Sequence, residues 1–443
     1  ICGKLPETNR IFQDEGTKSF VGPQVKIALK NAGYQIPLKR ITINIFPAGL
    51  KKSGSSFDLP IALALLGATG VIDQDILKDI LVAGEIGLSG NILPVRGILA
   101  VVDMAKKTNK KFCLVPKENY EEACLVKGIK IYPLKDLKTT IDILKDKDVE
   151  AFSEGVLDLT KKEVKRDGVK DFSLIKGLRS VKRASEIAVC GKHNFLMIGP
   201  SGTGKTLIAG TLPTIIPPLE DEEKMVLSKI YSVSGMLDPG KGLMDERPFR
   251  SPQHSLSKSG LTGGVQSTSL GEISLAHAGV LFLDELPEYT DAVIEQLKQP
   301  LEEGKITLSK STGTYEYPAD FMLVAAMSAC KCGYYPDISR CTCTSASIKK
   351  YLSGVSQAVL DRIDISVEVP KLSFKELTSA KKEESSLDIR KRVSKVWEIQ
   401  RERYKNETFK FNSDIPAEKI SKYCPMEDET EEYIEEMFDK LNL

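Results

Sequence analysis

The stretch NFLMIGPSGTGKTLIAGTL, residues 194–212, decides the fold class. FLMI reads as a buried strand, a glycine-rich turn follows, and TLIAGTL continues with helical periodicity. The turn, GPSGTGKT (199–206), fits G-x-x-x-x-G-K-[ST] in the strand–turn–helix setting that gives the pattern its meaning. Gly199, Pro200, Ser201, Gly202, Thr203 and Gly204 supply a loop whose N–H groups can surround phosphate oxygens, and the helix N-terminus adds a favourable dipole. Lys205 can reach the β- and γ-phosphates, and the Thr206 hydroxyl can bind Mg²⁺. A chance loop match is the bland alternative, and this strand–turn–helix context weighs against it.

Working outward, GVLFLDE (279–285) is an apolar strand ending in two adjacent carboxylates. Asp284 on such a strand would hold Mg²⁺ directly or through water, and Glu285 would orient and deprotonate an attacking water. Together the two motifs imply hydrolysis of a nucleoside triphosphate, with ATP and Mg²⁺ as the expected ligands. FMLVAAMS (321–328) is a third buried strand that ends at Ser328, where many such enzymes place a group sensing the γ-phosphate. AVLDRID (358–364) puts Arg362 in a helix-to-strand turn. A guanidinium there can stabilise transition-state charge in a neighbouring subunit's site, which implies a ring; the alternative is an ion pair with Asp361 or Asp364.

The bulk numbers set bounds. At 443 residues the chain is long enough for two or three domains. A formal net charge of +1 gives no global attraction to nucleic acid, so any basic surface is local. The apolar run Leu59 to Ile72 is interrupted by Gly67 and Gly70 and is too short to span a bilayer. No signal peptide is visible, no membrane partner is expected, and the cysteine usage points to a reducing cytoplasm. Because residue 1 is isoleucine rather than methionine, a preceding piece is allowed for.

Residues 1–150 read as one α/β unit, with strand-like ITINIFPA (41–48), ILVAGEIGL (80–88) and FCLVP (112–116). LPIALALLGA (59–68) and ILAVVDMAKKTN (98–109) read as helices. The charged, weakly periodic text at 151–172 reads as a linker, 173–371 as a second α/β domain, and 372–443 as a charged helical segment.

These motifs, with RPFRSPQHSLSKSGLTGG, GEISLAHAGVLFLDELPEY, QPLEEGKITLS and LDRIDISVEVP, closely resemble the magnesium-chelatase-like AAA+ ATPases of the ComM/YifB type. The resemblance runs from about Val21 to the C-terminus. It implies a Lon-protease-like (ribosomal S5 domain 2-like) front domain, a P-loop AAA+ core and a helical lid that would be incomplete at Leu443. It further implies a hexameric ring that uses ATP to move on DNA and promote branch migration in homologous recombination and natural transformation. Two departures stand out: Ser328 replaces the family's asparagine, and Gln253–His254 replace its paired histidines. An ATPase subunit of a metal-chelatase complex shares the same core motifs; those motors begin directly with the AAA+ core, so the front domain argues against that reading.

Of nine cysteines, Cys330, Cys332, Cys341 and Cys343 form C-x-C-x₈-C-x-C. Four thiolates can close a tetrahedral, structural Zn²⁺ site; free thiols and disulfides are the alternatives. Gly333, Tyr334 and Pro336 suit a turn between the pairs. The three histidines, His193, His254 and His277, lack metal-ligand spacing and read as structural. RPFRSPQHSLSKSG (247–260) reads either as a pore loop bringing Arg247, Arg250 and Lys258 to phosphates or as an inter-subunit or nucleotide-facing loop. Arg390, Lys391 and Arg392 read as a solvated helix face.

One serine tests a peptidase reading. In KKSGSSFDLP (51–60), Ser56 occupies the place of the nucleophile in Lon-type peptidases, to which the front domain is similar. A serine nucleophile needs a base, and the lysine of that family falls here on Leu99, with Lys106 and Lys107 about two helical turns further on. Asp58 and Pro60 suit the start of the following helix, by capping and by a fixed φ. The front domain therefore reads as non-catalytic.

Overall fold

The computed structural model describes residues 23–35, 41, 43, 56–146, 171–238, 240–264, 270–310, 313–379 and 382–441. Most of the expected linker, most of the expected strand at 41–48 and the loop preceding Ser56 lie outside them.

In the front half, helix α1 (Asp58–Ala68) is apolar on nearly every side, and its leucines and isoleucines are buried, as an element enclosed by core must be. Three short strands, β1 (Ile80–Val82), β2 (Phe112–Pro116) and β3 (Lys130–Leu134), form a parallel sheet in the order β1-β2-β3. Between β1 and β2 runs helix α2 (Ile98–Lys107), the crossover that parallel pairing requires. The single strand expected over 80–88 is broken after Val82, and Glu85–Ile86 instead pairs antiparallel with Ile92–Leu93. Gly84 sits at the break, where a Cβ would stand 3.0 Å from the Leu59 side chain. Close approach of α1 thus sets the bend.

The second half begins with helix α3 (Arg179–Gly191), strand β4 (Phe195–Ile198), helix α4 (Lys205–Ile215) and helix α5 (Asp221–Ser234). Helix α5 starts with a Glu220/Glu223 capping box and stops at Gly235, whose φ of 69° ends the helical run. Strands β5 (Phe249–Arg250), β6 (Val280–Leu283), β7 (Met322–Met327) and β8 (Ile365–Glu368) join β4 in one sheet, ordered β8-β4-β7-β6-β5 and parallel throughout. Phe195 and Phe282 are fully buried, each contributing about 1.5–3 kcal/mol. Both halves are thus α/β units built on parallel sheets.

Helix α6 (Ser386–Arg403) packs on α3 and α4. Trp397 Nε1 donates to the Val189 carbonyl at 3.1 Å and Gln400 Nε2 to the Cys190 carbonyl at 2.7 Å. Arg392 is exposed, as expected of a solvated helix face, and from there it pairs with Glu186 at 2.7 Å and with Glu384, holding α6 against α3. The two halves meet where Lys229 of α5 pairs with Asp103 of α2 at 2.9 Å. Beside that pair, Gly97 (φ 76°) lies so close that a Cβ there would come within 3.2 Å of Val233.

Candidate nucleotide site

The phosphate-loop residues, Asp284, Glu285 and Ser328 gather at the carboxyl ends of β4, β6 and β7, which is where open parallel sheets collect ligands. The loop after β4 turns at Gly202 (φ 78°) and Gly204 (φ 90°), conformations that L side chains rarely adopt. Gly199 is required for another reason: a Cβ there would stand 2.3 Å from the Val369 carbonyl oxygen. Its N–H donates to the Met327 carbonyl at 3.1 Å, tying the loop to the end of β7.

Lys205 is buried at the start of α4, and its Nζ donates to the Gly199 and Pro200 carbonyls at 2.7 and 2.9 Å. Burial holds its pKa below the usual lysine range, opposed by the charges of Asp284 and Glu285. Thr206 Oγ1 donates to Asp284 Oδ2 at 2.7 Å, so the phosphate-loop hydroxyl and the carboxylate at the end of β6 meet directly. The next residue, Glu285, is exposed and held at φ 54°, with its N–H on Asp284 Oδ1 at 3.0 Å. Left-handed backbone is uncommon for a residue that carries a side chain, and such positions cluster at active sites.

Ser328 is half-buried at the end of β7. Tyr351, on the helix Ser345–Leu352, lies near Glu288, Glu285 and Cys330, with burial first and those charges next pushing its pKa up to about 12. Burial together with Asp284 and Glu285 does the same for Tyr289, whose hydroxyl donates to the Pro252 carbonyl at 2.7 Å. Sequence reading assigned neither tyrosine a role: Tyr289 closes the quoted GEISLAHAGVLFLDELPEY segment without a chemistry of its own, and Tyr351 belongs to no motif. The Tyr289 contact also brings the 247–260 loop beside the Asp284 carboxylate.

In that loop the arginines serve the fold. Arg247 is buried, donating to the Pro217 and Ala278 carbonyls at 2.6 Å each and to Glu223 at 2.9 Å, while Arg250 forms a fork with Glu272 at 2.6 and 2.7 Å. The pore-loop expectation is corrected for these two; only Lys258 is exposed. Arg362 pairs with Glu302 rather than with Asp361 or Asp364. It precedes Ile365, which is in register with Phe195 at the amino end of the sheet, while the phosphate loop leaves the carboxyl end. At about 3.3 Å per residue, that puts it roughly 13 Å from its own phosphate loop.

Cys330, Cys332, Cys341 and Cys343 come together, their sulfurs all within 4.8 Å of one another. The histidines do not gather: His193 faces Asp364 at 3.6 Å, His254 lies edge-on to Tyr289, and His277 accepts from the Asp320 N–H at 3.1 Å.

At the front, Ser56 precedes α1, whose N-cap Phe57 makes no side-chain bond. Asp58 therefore lies within the first turn and does not cap it; Oδ2 is buried without a hydrogen-bond partner, and burial, then Glu85, raises its pKa. Leu99 is fully buried and Lys106 and Lys107 are exposed on α2.

Three family models match the chain. Residues 171–377 match "Magnesium chelatase, subunit ChlI", 17–119 match "Subunit ChlI of Mg-chelatase", and 383–443 match "Magnesium chelatase, subunit ChlI C-terminal". The competence protein ComM of Haemophilus influenzae is 36% identical over 97% of this chain and 83% of its own length. YifB of Escherichia coli is 35% identical over 98% and 84%. An archaeal Lon protease from Methanocaldococcus jannaschii is 27% identical over 33% of this chain and 22% of its own.

Proposed function

Because the chain belongs to the magnesium-chelatase-like AAA+ ATPase family of ComM and YifB, we propose that it is a ring-forming, ATP-hydrolysing motor that acts on DNA. The observation that carries the ATPase reading is the 2.7 Å contact between Thr206 and Asp284. A hydroxyl and a carboxylate so placed are the two protein ligands that Mg²⁺ takes beside a triphosphate. In this reading Gly199 to Gly204 surround the phosphates, Lys205 neutralises the β- and γ-oxygens, and Glu285 activates the attacking water. Ser328 senses the γ-phosphate with a hydroxyl shorter than a carboxamide. Arg362, too far from its own phosphate loop, serves the next subunit of a hexamer.

The DNA assignment rests on kinship. The Haemophilus relative is named a competence protein, and the resemblance implies branch migration during recombination and natural transformation. A second reading, an ATPase subunit of a metal-chelatase-like complex, has gained support: the front domain, which seemed to argue against it, itself matches a model described as ChlI. Among the described residues no helix is long and apolar enough to cross a membrane, consistent with either. A peptidase is disfavoured, because the position of the Lon base is the buried Leu99.

ATP turnover measured with and without forked or three-stranded DNA, alongside strand exchange, separates the readings. The motor reading expects stimulation by branched DNA; turnover indifferent to DNA, with no strand exchange, would overturn it in favour of the chelatase-like subunit.

A further inference from the structure

The segment 329–344, between β7 and the helix Ser345–Leu352, contains no helix or strand. It has little core of its own: Tyr334, Tyr335 and Ile338 are exposed, the last by 84%. An irregular excursion of this length inside a compact domain needs something else to hold it. What lies at its centre is sulfur. Cys330 Sγ is 3.3 Å from Cys332 Sγ and 3.8 Å from Cys341 Sγ, and Cys332 Sγ is 3.5 Å from Cys341 Sγ. A disulfide would need about 2.05 Å. Four thiolates about 2.3 Å from one tetrahedral ion stand about 3.8 Å apart, close to the spacing of Cys330, Cys332 and Cys341, and Cys343 Sγ lies within 4.8 Å of each of them. The Tyr335 N–H points at Cys330 Sγ at 3.4 Å, the kind of donor that steadies a metal-bound thiolate.

The cluster also touches the phosphate loop. Ser201 donates its N–H to the Gly333 carbonyl at 3.3 Å. Gly333 is buried at φ 76°, and a Cβ there would stand 2.5 Å from Ser201 Oγ. The tip of the knuckle is thus docked where only glycine fits. Ser328, at the end of β7, stands two residues before Cys330.

We propose that Cys330, Cys332, Cys341 and Cys343 hold one structural zinc ion, and that the knuckle it closes fixes the phosphate loop through Gly333 and Ser201, making nucleotide affinity depend on the metal. With all four positions taken by sulfur, the ion has no open site for substrate and acts by holding the backbone. Loss of the ion frees the Gly333 carbonyl from Ser201, and the loop must then be ordered by the nucleotide itself, which weakens binding.

The inference rests on GPSGTGKT being the nucleotide site, and the test keeps the two apart. The full chain, purified under reducing conditions, is assayed for metal and titrated with a fluorescent, non-hydrolysable ATP analogue in excess Mg²⁺. About one zinc ion per chain is expected; a zinc-selective chelator should weaken analogue binding about tenfold, and added zinc should restore it. Cys332→Ser should behave like the stripped protein. Should that variant fold poorly, Gly333→Ala supplies an independent arm, retaining zinc while losing about tenfold in affinity. Zinc near zero with four free thiols overturns the site. Unchanged affinity in the stripped chain and in zinc-loaded Gly333→Ala overturns the coupling. A zinc-loaded chain that binds no analogue, or binds it equally as Lys205→Ala, overturns the nucleotide reading and the coupling with it, while the zinc count still reports on the cysteines.

Discussion

Replacing Glu285 with glutamine tests the chemistry most directly. The side chain is exposed and its main-chain N–H, not its carboxylate, makes the recorded contact with Asp284. Glutamine keeps the length, and the left-handed backbone at φ 54° is unchanged by the swap. Among the described residues no ion pair holds the carboxylate, and a purely structural role predicts a change within about 0.5 kcal/mol, or less than roughly threefold in any constant. A residue that deprotonates water predicts a fall in turnover of about 10²–10⁴-fold, roughly 3–5 kcal/mol of barrier. Thr206 and Asp284 remain, so Mg²⁺-ATP affinity should hold or tighten, one negative charge having left the neighbourhood of the triphosphate. Single-turnover hydrolysis measured beside analogue binding separates the two cases. Turnover reduced by less than threefold, or a loss that appears wholly in affinity, would refute the role assigned to Glu285.

Three further outcomes are expected. Arg362→Ala should leave nucleotide binding intact while cutting turnover of the assembled ring about 10³-fold or more; unchanged turnover would reduce Arg362 to its exposed pair with Glu302. Arg247→Ala removes a cation that is 5% exposed together with its bonds to the Pro217 and Ala278 carbonyls and to Glu223, which should cost about 3 kcal/mol and lower the melting temperature by roughly 6–12 °C; a shift under about 2 °C would sink that assignment. The folded-state pKa of Asp58 is raised above 3.8, so its ionisation opposes folding at neutral pH and the penalty fades as pH falls through the folded value. Asp58→Asn should therefore raise the melting temperature at pH 7 and lose that advantage near pH 4; an equal effect at both would show that charge is not the cause.

Some features were legible because they are local. The glycines of the phosphate loop, the apolar run before them and the carboxylate pair after Leu283 each fall within a few residues, and local periodicity with turn chemistry suffices to read them. Others depend on partners far away in the chain. Arg392 is exposed as expected, but its pairing with Glu186 of α3 could not be read from spacing along the chain. Arg247 and Arg250 looked available to phosphates, yet both are held by acids and carbonyls of other elements. The strand at 80–88 broke because α1 crosses it at Gly84, a contact that period-two alternation cannot register.

By itself the sequence determined the fold class, the family and the phosphate-loop pattern, because glycine conformations, helix starts and buried strands are written in neighbouring residues. The tertiary structure alone decided that Thr206 and Asp284 touch and that Arg362 lies at the far end of the sheet from its own phosphate loop. It also decided that Gly333 seats a cysteine knuckle on Ser201. Those are distances between segments that meet only when the sheet assembles, and such distances are fixed by packing rather than by spacing along the chain.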